Sequence, residues 1–315
     1  METIRKIVFS CGITLFAGYL FCEYAFAKSF VLPEKLTFAG QTVPLERQVV
    51  REHFDALYTS MCYNNPGQSR LWLRREQRIL PTIRKIIVNA GLPEDFVYLV
   101  VAESDMLPRA LSPAGAYSYW QFMPGTGKDE GLDTHLALDE RGDLVKATLA
   151  ACNHLKELYQ AFGKDWFLAM AAYNNGRKNV ETMLKAQHAK TYWDAWSNNE
   201  TATYVPRIIL IKTLFENPAL FGIEPGEIVP YPEFSVDRIS FTLPESVMFA
   251  TVCDWAETDY RTMLTLNPQI YRTSYLKDVT LPKNIAMHVD VPKSKVNGFL
   301  KRLDDFIKLN KAQKK

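Results

Sequence analysis

The stretch Gly91-Leu92-Pro93-Glu94-Asp95-Phe96-Val97-Tyr98-Leu99-Val100-Val101-Ala102-Glu103-Ser104-Asp105 holds one residue that its own pattern does not provide for. Proline at the first helical position, followed by two acids in the first turn, suits the free amides and positive dipole end of a helix. Phe96, Leu99, Val100 and Glu103 then fall at i, i+3, i+4 and i+7, so a carboxyl group takes a place where the apolar stripe calls for another hydrocarbon. Loss of hydration there disfavours the charged form and raises the pKa, the condition for a general acid near neutral pH. The bland alternative is a helix-terminal glutamate at the rim of the core, its head reaching water or an arginine. Asp105, two residues on, points to a different side, and no second carboxylate is compelled.

The next segment weighs against the bland alternative. Ser112-Pro113-Ala114-Gly115-Ala116-Tyr117-Ser118-Tyr119-Trp120-Gln121-Phe122-Met123-Pro124-Gly125-Thr126-Gly127 is dense in glycine, hydroxyls and aromatics, with one amide. Aromatic faces stack on pyranose rings, and Gln and Ser supply the paired donors and acceptors that hydroxyl and acetamido groups require. For one of Tyr119 and Trp120, ordinary core filling is expected.

Further out, residues 44 to 216 keep helical spacing between loops. A helix is predicted from about Asp143, its N-cap, to Phe162, with Val145, Leu149, Cys152, Leu155 and Tyr159 along one side and Gly163 as its stop. Others are predicted from after Asp165 to about Asn174 and from Tyr204 to Phe215. Prolines and glycines between 217 and 232 mark a linker. Ile239, Phe241 and Leu243 then alternate as in a strand, helical stretches follow around 245–256 and 259–266, and Val279 to Leu281 reads as a returning strand. In the basic tail, Val296, Phe299, Leu300, Leu303, Phe306 and Ile307 share a helical face, which predicts either a docked terminal helix or attachment to a membrane or wall surface.

At the other end, Arg5 and Lys6, the apolar run Ile7 to Phe21 and Ala25-Phe26-Ala27 fit an export leader cleaved after Ala27. A lipid anchor at Cys22 is disfavoured because the bulky Phe21 precedes it. The net charge of +2 gives no ground for nucleic-acid binding. Beyond the leader Cys62, Cys152 and Cys253 allow at most one bridge, and no Cys or His spacing fits a metal, so neither metal nor cofactor is expected.

Glu103-Ser104, Ser112-Pro113-Ala114-Gly115-Ala116, Trp120-Gln121-Phe122-Met123-Pro124, Ala171-Ala172-Tyr173-Asn174, and Glu200-Thr201 with Tyr204-Val205-Pro206-Arg207 occur in the order and rough spacing of lytic transglycosylases. Over about residues 40 to 216, including Val43-Pro44-Leu45 and Leu71-Trp72-Leu73, the chain resembles the membrane-bound lytic transglycosylase D group, whose fold is that of goose-type lysozymes. The resemblance implies a lysozyme-like helical catalytic domain, and with the strand and helix patterns read beyond residue 232 the expected architecture is mainly α, that domain followed by a small α+β unit and a terminal helix. The expected divisions are a leader at 1–27, a helical flank at 28–90, the catalytic domain at 91–216, a linker at 217–232, the α+β unit at 233–290 and the tail helix at 291–315. Leu266-Asn267-Pro268 and Leu281-Pro282 make the α+β unit similar to a LysM glycan-binding module, although Leu243-Pro244 replaces the usual strand ending.

By the same resemblance Glu103 is the acid and then the base in cleavage of peptidoglycan strands between N-acetylmuramic acid and N-acetylglucosamine, leaving a 1,6-anhydromuramoyl end. Gln121 and Asn174 contact the sugar, Tyr173 and Tyr204 line the cleft near the reacting carbon, and Ser112, Tyr119, Met123 and Glu200 complete the expected substrate-binding set. A periplasmic monomer is implied. Read from the residues alone, Tyr173 also fits a core aromatic and Asn174 a helix C-cap. Three departures bear on substrate fit: Ser118-Tyr119 stands for Gly-Leu, Asn174-Asn175-Gly176-Arg177 for Asn-Ala-Gly-Pro, and Asp105 for a small or apolar residue. Hydrolysis by the same acid, and glycan binding without cleavage, are the rival expectations.

Overall fold

Apolar residues at three- and four-residue spacing fold the first two thirds of the chain into helices around one core, in a computed structural model that describes residues 31–135, 137–224, 226–271 and 277–313. The expected leader, together with Pro225, Lys314 and Lys315, lies outside the described residues. A small hairpin of β1 (Thr37–Phe38) and β2 (Gln41–Thr42) precedes α1 (Gln48–Thr59) and a π turn at Ser60–Asn64. The long α2 (Pro66–Asn89) starts on a proline and buries Trp72, Leu73, Ile79, Leu80, Ile83 and Ile87.

The decisive stretch departs in detail from the predicted helix. Pro93 is the cap, with extended backbone, rather than the first helical residue, and Glu94–Tyr98 form a 3-10 turn before α3 (Leu99–Ser104). Phe96, Val97 and Tyr98 are all buried, as are Leu99, Val100 and Val101 after them, so the segment runs through the core instead of presenting one apolar stripe to it. α3 ends where Asp105 and Met106 turn left-handed, at φ 53° and 60°. Trp72 Nε1 donates to Asp105 Oδ1 at 2.8 Å and Arg75 to the Asp105 carbonyl, which offsets the cost of that backbone.

After α4 (Pro124–Asp129) and the two-residue strands β3 (Thr134–His135) and β4 (Leu138–Asp139), Asp143 caps α5 (Leu144–Ala161) by accepting the Val145 and Lys146 amides. Leu149, expected on the apolar side of α5, is 48% exposed. The buried side instead carries Ala147, Ala150, Ala151, Cys152, Leu155 and Leu158, whose alanines let neighbouring helices approach closely. α6 (Trp166–Asn175) and α7 (Arg177–Gln187) follow. α8 (Asn199–Glu216) begins five residues before the expected Tyr204, because Asn198 Oδ1 accepts the Thr201 amide and starts the helix there. The stretch 217–232 does not hang free: Phe221 and Ile223 are buried, and Tyr231 lies under the guanidinium groups of Arg74 and Arg78 on α2, at 4.4 and 4.9 Å.

The remainder is α+β. β5 (Val236–Thr242) pairs antiparallel with β8 (Ala286–Pro292), Ile239 opposite Val289, and between them lie β6 (Val247–Met248), α9 (Phe249–Trp255), α10 (Tyr260–Leu266) and β7 (Thr280–Leu281). Phe249, Met263, Leu281, Val289 and Val291 form a second core. α11 (Val296–Gln313) docks on it: Phe299 and Leu303 are buried, Phe306 meets Trp255 at 5.2 Å, and Arg302 donates to the Trp255 carbonyl. The three described cysteines are buried free thiols, so no bridge forms among them.

This second unit is fastened to the first by polar contacts. Tyr117 Oη donates to the Pro268 carbonyl at 2.8 Å, the Arg109 guanidinium reaches the carbonyls of Leu264, Pro268 and Ile270, and the Asp139 and Tyr271 amides bond across to Gln269 and Ala137. Gly142 passes so near Pro268 that a Cβ would come within 2.6 Å of its backbone. Buried Asp143 also meets Arg238 of β5 at 3.2 Å and His288 of β8 at 2.5 Å. Burial would raise its pKa, but the His288 contact, the Arg238 charge and the Lys146 amide overrule this and hold it at about 2.

Candidate active site

Glu103 reaches the cleft from the last turn of α3. The cavity in front of it measures about 470 Å³ and is bounded by Ser112, Gln121 and Met123 on the loop, Tyr173 and Asn174 at the end of α6, and Glu200, Tyr204 and Arg207 along α8. Of the residues expected to bind substrate, Tyr119 alone is not among those lining it.

Burial pushes the Glu103 carboxyl up to about 7, against the opposing pull of a hydrogen bond donated by Tyr204 Oη to Oε1 and of the Arg207 charge, while Glu200 adds to the rise. The apolar register foreseen for this residue therefore has an electrostatic consequence: near neutrality the acid and its conjugate base are both populated. Burial also raises the Tyr204 and Tyr173 phenols well above their ordinary value, so both stay protonated donors. Tyr173 Oη donates to the Trp120 carbonyl at 2.9 Å, and the residue lines the cleft while it packs against the core.

The loop is shaped by left-handed backbone at Gly115, Ser118 and Gln121. Gly115 at φ 91° permits the tight return in which the Ser112 amide donates to the Ala116 carbonyl and the Ala116 amide donates back to Ser112 Oγ. Ser118 and Gln121 are both left-handed, at φ 64° and 50°. Ser118 is held by its hydroxyl on the Pro108 carbonyl and its amide on Ala110. Gln121 Nε2 donates to the Ala110 and Ser118 carbonyls, leaving Oε1 as the acceptor it can offer to a ligand. The two intervening side chains turn inward. Trp120 is fully buried, with Nε1 on Thr148 Oγ1 at 2.9 Å. Tyr119 is 4% exposed and lines a separate cavity of about 240 Å³ between α2 and the α+β unit, beside Arg78 and Arg238. Its expected place at the cleft is thus corrected: core filling holds for both aromatics, because the strained turns at 118 and 121 bracket a pair that faces the protein.

Asn174 does not cap α6, whose terminating residue is Gly176 at φ 81°. Its side chain spans to α8, donating to Glu200 Oε1 at 3.2 Å and accepting from Thr201 Oγ1 at 2.9 Å. Glu200 is therefore the other carboxylate of the cleft. Asp105 faces a neighbouring cavity with Trp72 and stands 3.8 Å from Arg207.

Four residues that sequence reasoning passed over complete the site. Arg207 and His154 line the cleft directly, and His154 Nδ1 contacts Glu130 Oε1 at 2.8 Å. The buried Arg141 pairs with Asp139 at 2.7 Å and donates to the Gly115 and Phe122 carbonyls, stapling both ends of the loop. Arg207 lay within a quoted motif, but His154, Glu130 and Arg141 carry no local pattern that sets them apart. Among the described residues, no cluster of three or more His, Cys, Asp or Glu could hold a metal ion, and no helix is long and apolar enough to cross a membrane.

Comparison with known proteins matches residues 82–195 to the family described as the transglycosylase SLT domain. Over 211 residues, 66% of this chain, it is 31% identical to the membrane-bound lytic murein transglycosylase D of Escherichia coli (strain K12). The chain spans less than half of that relative, 44% of its length. Among solved structures, the 70 kDa soluble lytic transglycosylase of Escherichia coli is similar with a TM-score of 0.38 and 20% identity, over 48% of this chain and 26% of the other. A complex of the 70-kDa soluble lytic transglycosylase with bulgecin A gives 0.39 and 17%, over 60% and 30%.

Proposed function

We propose, from the premise that residues 82–195 carry a transglycosylase SLT domain, that this chain is a peptidoglycan lytic transglycosylase with Glu103 as its acid and then its base. The observation that carries the reading is the desolvated carboxyl of Glu103 in the cleft, with a pKa of about 7 and a phenol on one oxygen. A neutral Glu103 donates its proton to the oxygen between N-acetylmuramic acid and N-acetylglucosamine as the bond from that oxygen to C1 breaks. The 2-acetamido oxygen supports the positive charge at C1. The C6 hydroxyl then closes on C1 and gives its proton to the Glu103 carboxylate, so the acid is restored and no water is consumed. Tyr204, still protonated, supports the carboxylate between the two steps. Gln121 Oε1, Ser112 and the Asn174–Glu200 pair offer hydrogen-bonding partners to hydroxyl and acetamido groups, and Met123 offers apolar surface.

We read the α+β unit as LysM-like in plan, since two short helices lie between antiparallel strands. Its residues 267–271 are committed to the catalytic unit, which favours bracing over an independent tether.

Mass analysis of the fragments released from purified sacculi tests the reading. Muropeptides ending in 1,6-anhydromuramic acid are expected. Reducing ends would assign hydrolysis instead, with Glu200 the first residue to examine, and no release at all would leave a glycan-binding protein.

A further inference from the structure

His154 projects from the middle of α5, and its two ring nitrogens differ in their surroundings. Nδ1 meets Glu130 Oε1 at 2.8 Å, and the Glu130 side chain is only 10% exposed, so this is a built contact rather than a surface encounter. The ring also stands edge-on to Tyr173 and Phe122, at 5.5 and 6.2 Å between centroids. A carboxylate on one side and two aromatic rings on the others leave it little freedom to turn. Nε2 has no partner among the described residues, yet it is not one of the buried polar atoms that lack one, so it opens to solvent. Because the residue lines the cleft and Glu130 does not, the solvent at Nε2 is that of the cleft. A fixed ring with one nitrogen anchored and the other free is the arrangement by which proteins aim an imidazole at a ligand.

We propose that His154 is a substrate-contacting residue, held by Glu130 so that Nε2 hydrogen-bonds a hydroxyl or acetamido group of the bound glycan. The inference rests on the cleft being a glycan site. It makes α5 a third wall of that site beside the loop and α8. Glu130 acts as the positioning residue, since its contact with Nδ1 decides where Nε2 points.

Two substitutions separate the nitrogens. His154→Asn keeps a donor near Nδ1 for Glu130 and removes Nε2; His154→Gln places an amide end, whose oxygen accepts and whose nitrogen donates, near Nε2 and gives up the Nδ1 contact. Each is combined with Glu103→Gln, and binding to glycan strands stripped of peptide by amidase is measured by calorimetry, with melting temperatures recorded alongside. His154→Asn is expected to weaken binding about three- to tenfold, the worth of one hydrogen bond, while His154→Gln, which can still reach the ligand but is no longer held by Glu130, falls between the Asn variant and the parent. In enzyme retaining Glu103, His154→Asn should raise KM by the same factor with kcat little changed. Equal affinity of the Asn variant and the parent overturns the inference, as does a Gln variant as weak as the Asn one, or a parent that binds no glycan. If binding differs as expected while no form cleaves, the catalytic reading fails and this one stands.

Discussion

Glu103→Gln should make the protein more stable as well as inactive, by an amount that depends on pH. The folded state holds the Glu103 carboxyl at about 7, against an ordinary value of 4.5. Between those values the folded chain keeps a proton that the unfolded chain releases, so the wild type loses stability as pH rises through this window and bears the whole penalty above it. Below pH 4.5 both states are protonated and the penalty vanishes. At ~1.36 kcal/mol per pH unit this rise amounts to a few kcal/mol, and the water admitted by the cleft reduces it to about 2–3 kcal/mol. Glutamine fills the same volume and carries no charge at any pH, so it escapes the penalty while keeping an oxygen that can accept from Tyr204. Urea unfolding at pH 4 and pH 8.5 measures the difference. The two proteins should coincide within about 0.5 kcal/mol at the lower pH and separate by about 2–3 kcal/mol at the higher, with roughly 5 °C between their melting temperatures there. A gain equal at both pH values would show an effect of packing rather than of charge. No gain at pH 8.5 would refute the claim that burial at this site disfavours the carboxylate.

Tyr204→Phe removes the hydroxyl that donates to Glu103 Oε1, a bond that lowers the carboxyl's pKa. The alkaline limb of the cleavage profile should therefore move up, by about one pH unit for a bond to a charged group, and a limb that stays or moves down would contradict the assignment. Asp143→Asn replaces a group whose folded pKa of about 2 lies below its ordinary 3.8, so its contribution is complete above the ordinary value and lost as pH falls through the folded one. The variant should cost about 2 kcal/mol at pH 7 and only a small fraction of that near pH 2 in denaturant unfolding, and a cost independent of pH would trace the loss to the helix cap alone.

What the chain disclosed in advance was local. Glu103 stood out because it takes the i+7 place of an apolar register begun at Phe96, and Asp143 was legible as a cap because capping needs only the next two or three amides. The loop at 112–127 was legible in composition but not in direction. Which of Tyr119, Trp120 and Gln121 would face the cleft depended on left-handed turns at Ser118 and Gln121, and a serine and a glutamine give no warning of positive φ. Leu149 misled for a related reason: periodicity finds a stripe, but where alanines pack closely the buried face turns toward the small residues and the leucine faces outward. Pairs such as Arg141 with the Phe122 carbonyl, or His154 with Glu130, join residues 19 and 24 apart, beyond any helical or strand period.

The same distance of influence explains why the α+β unit bears on the site. α5 is fastened at its first turn, where Asp143 meets Arg238 and His288, and its middle carries His154 into the cleft eleven residues later, about 16 Å along the axis at 1.5 Å per residue. From the other side, the Asp139 amide takes the Gln269 carbonyl while the Asp139 carboxylate holds Arg141, whose guanidinium grips the loop at Gly115 and Phe122. Two routes therefore run from the second unit to two walls of the cleft, one along a rigid helix and one through a buried ion pair. Close-packed interiors transmit displacement instead of absorbing it. A shift of the 267–271 segment by a fraction of an ångström would move the loop and α5 relative to Glu103, and would register in catalysis before it registered in the stability of either core.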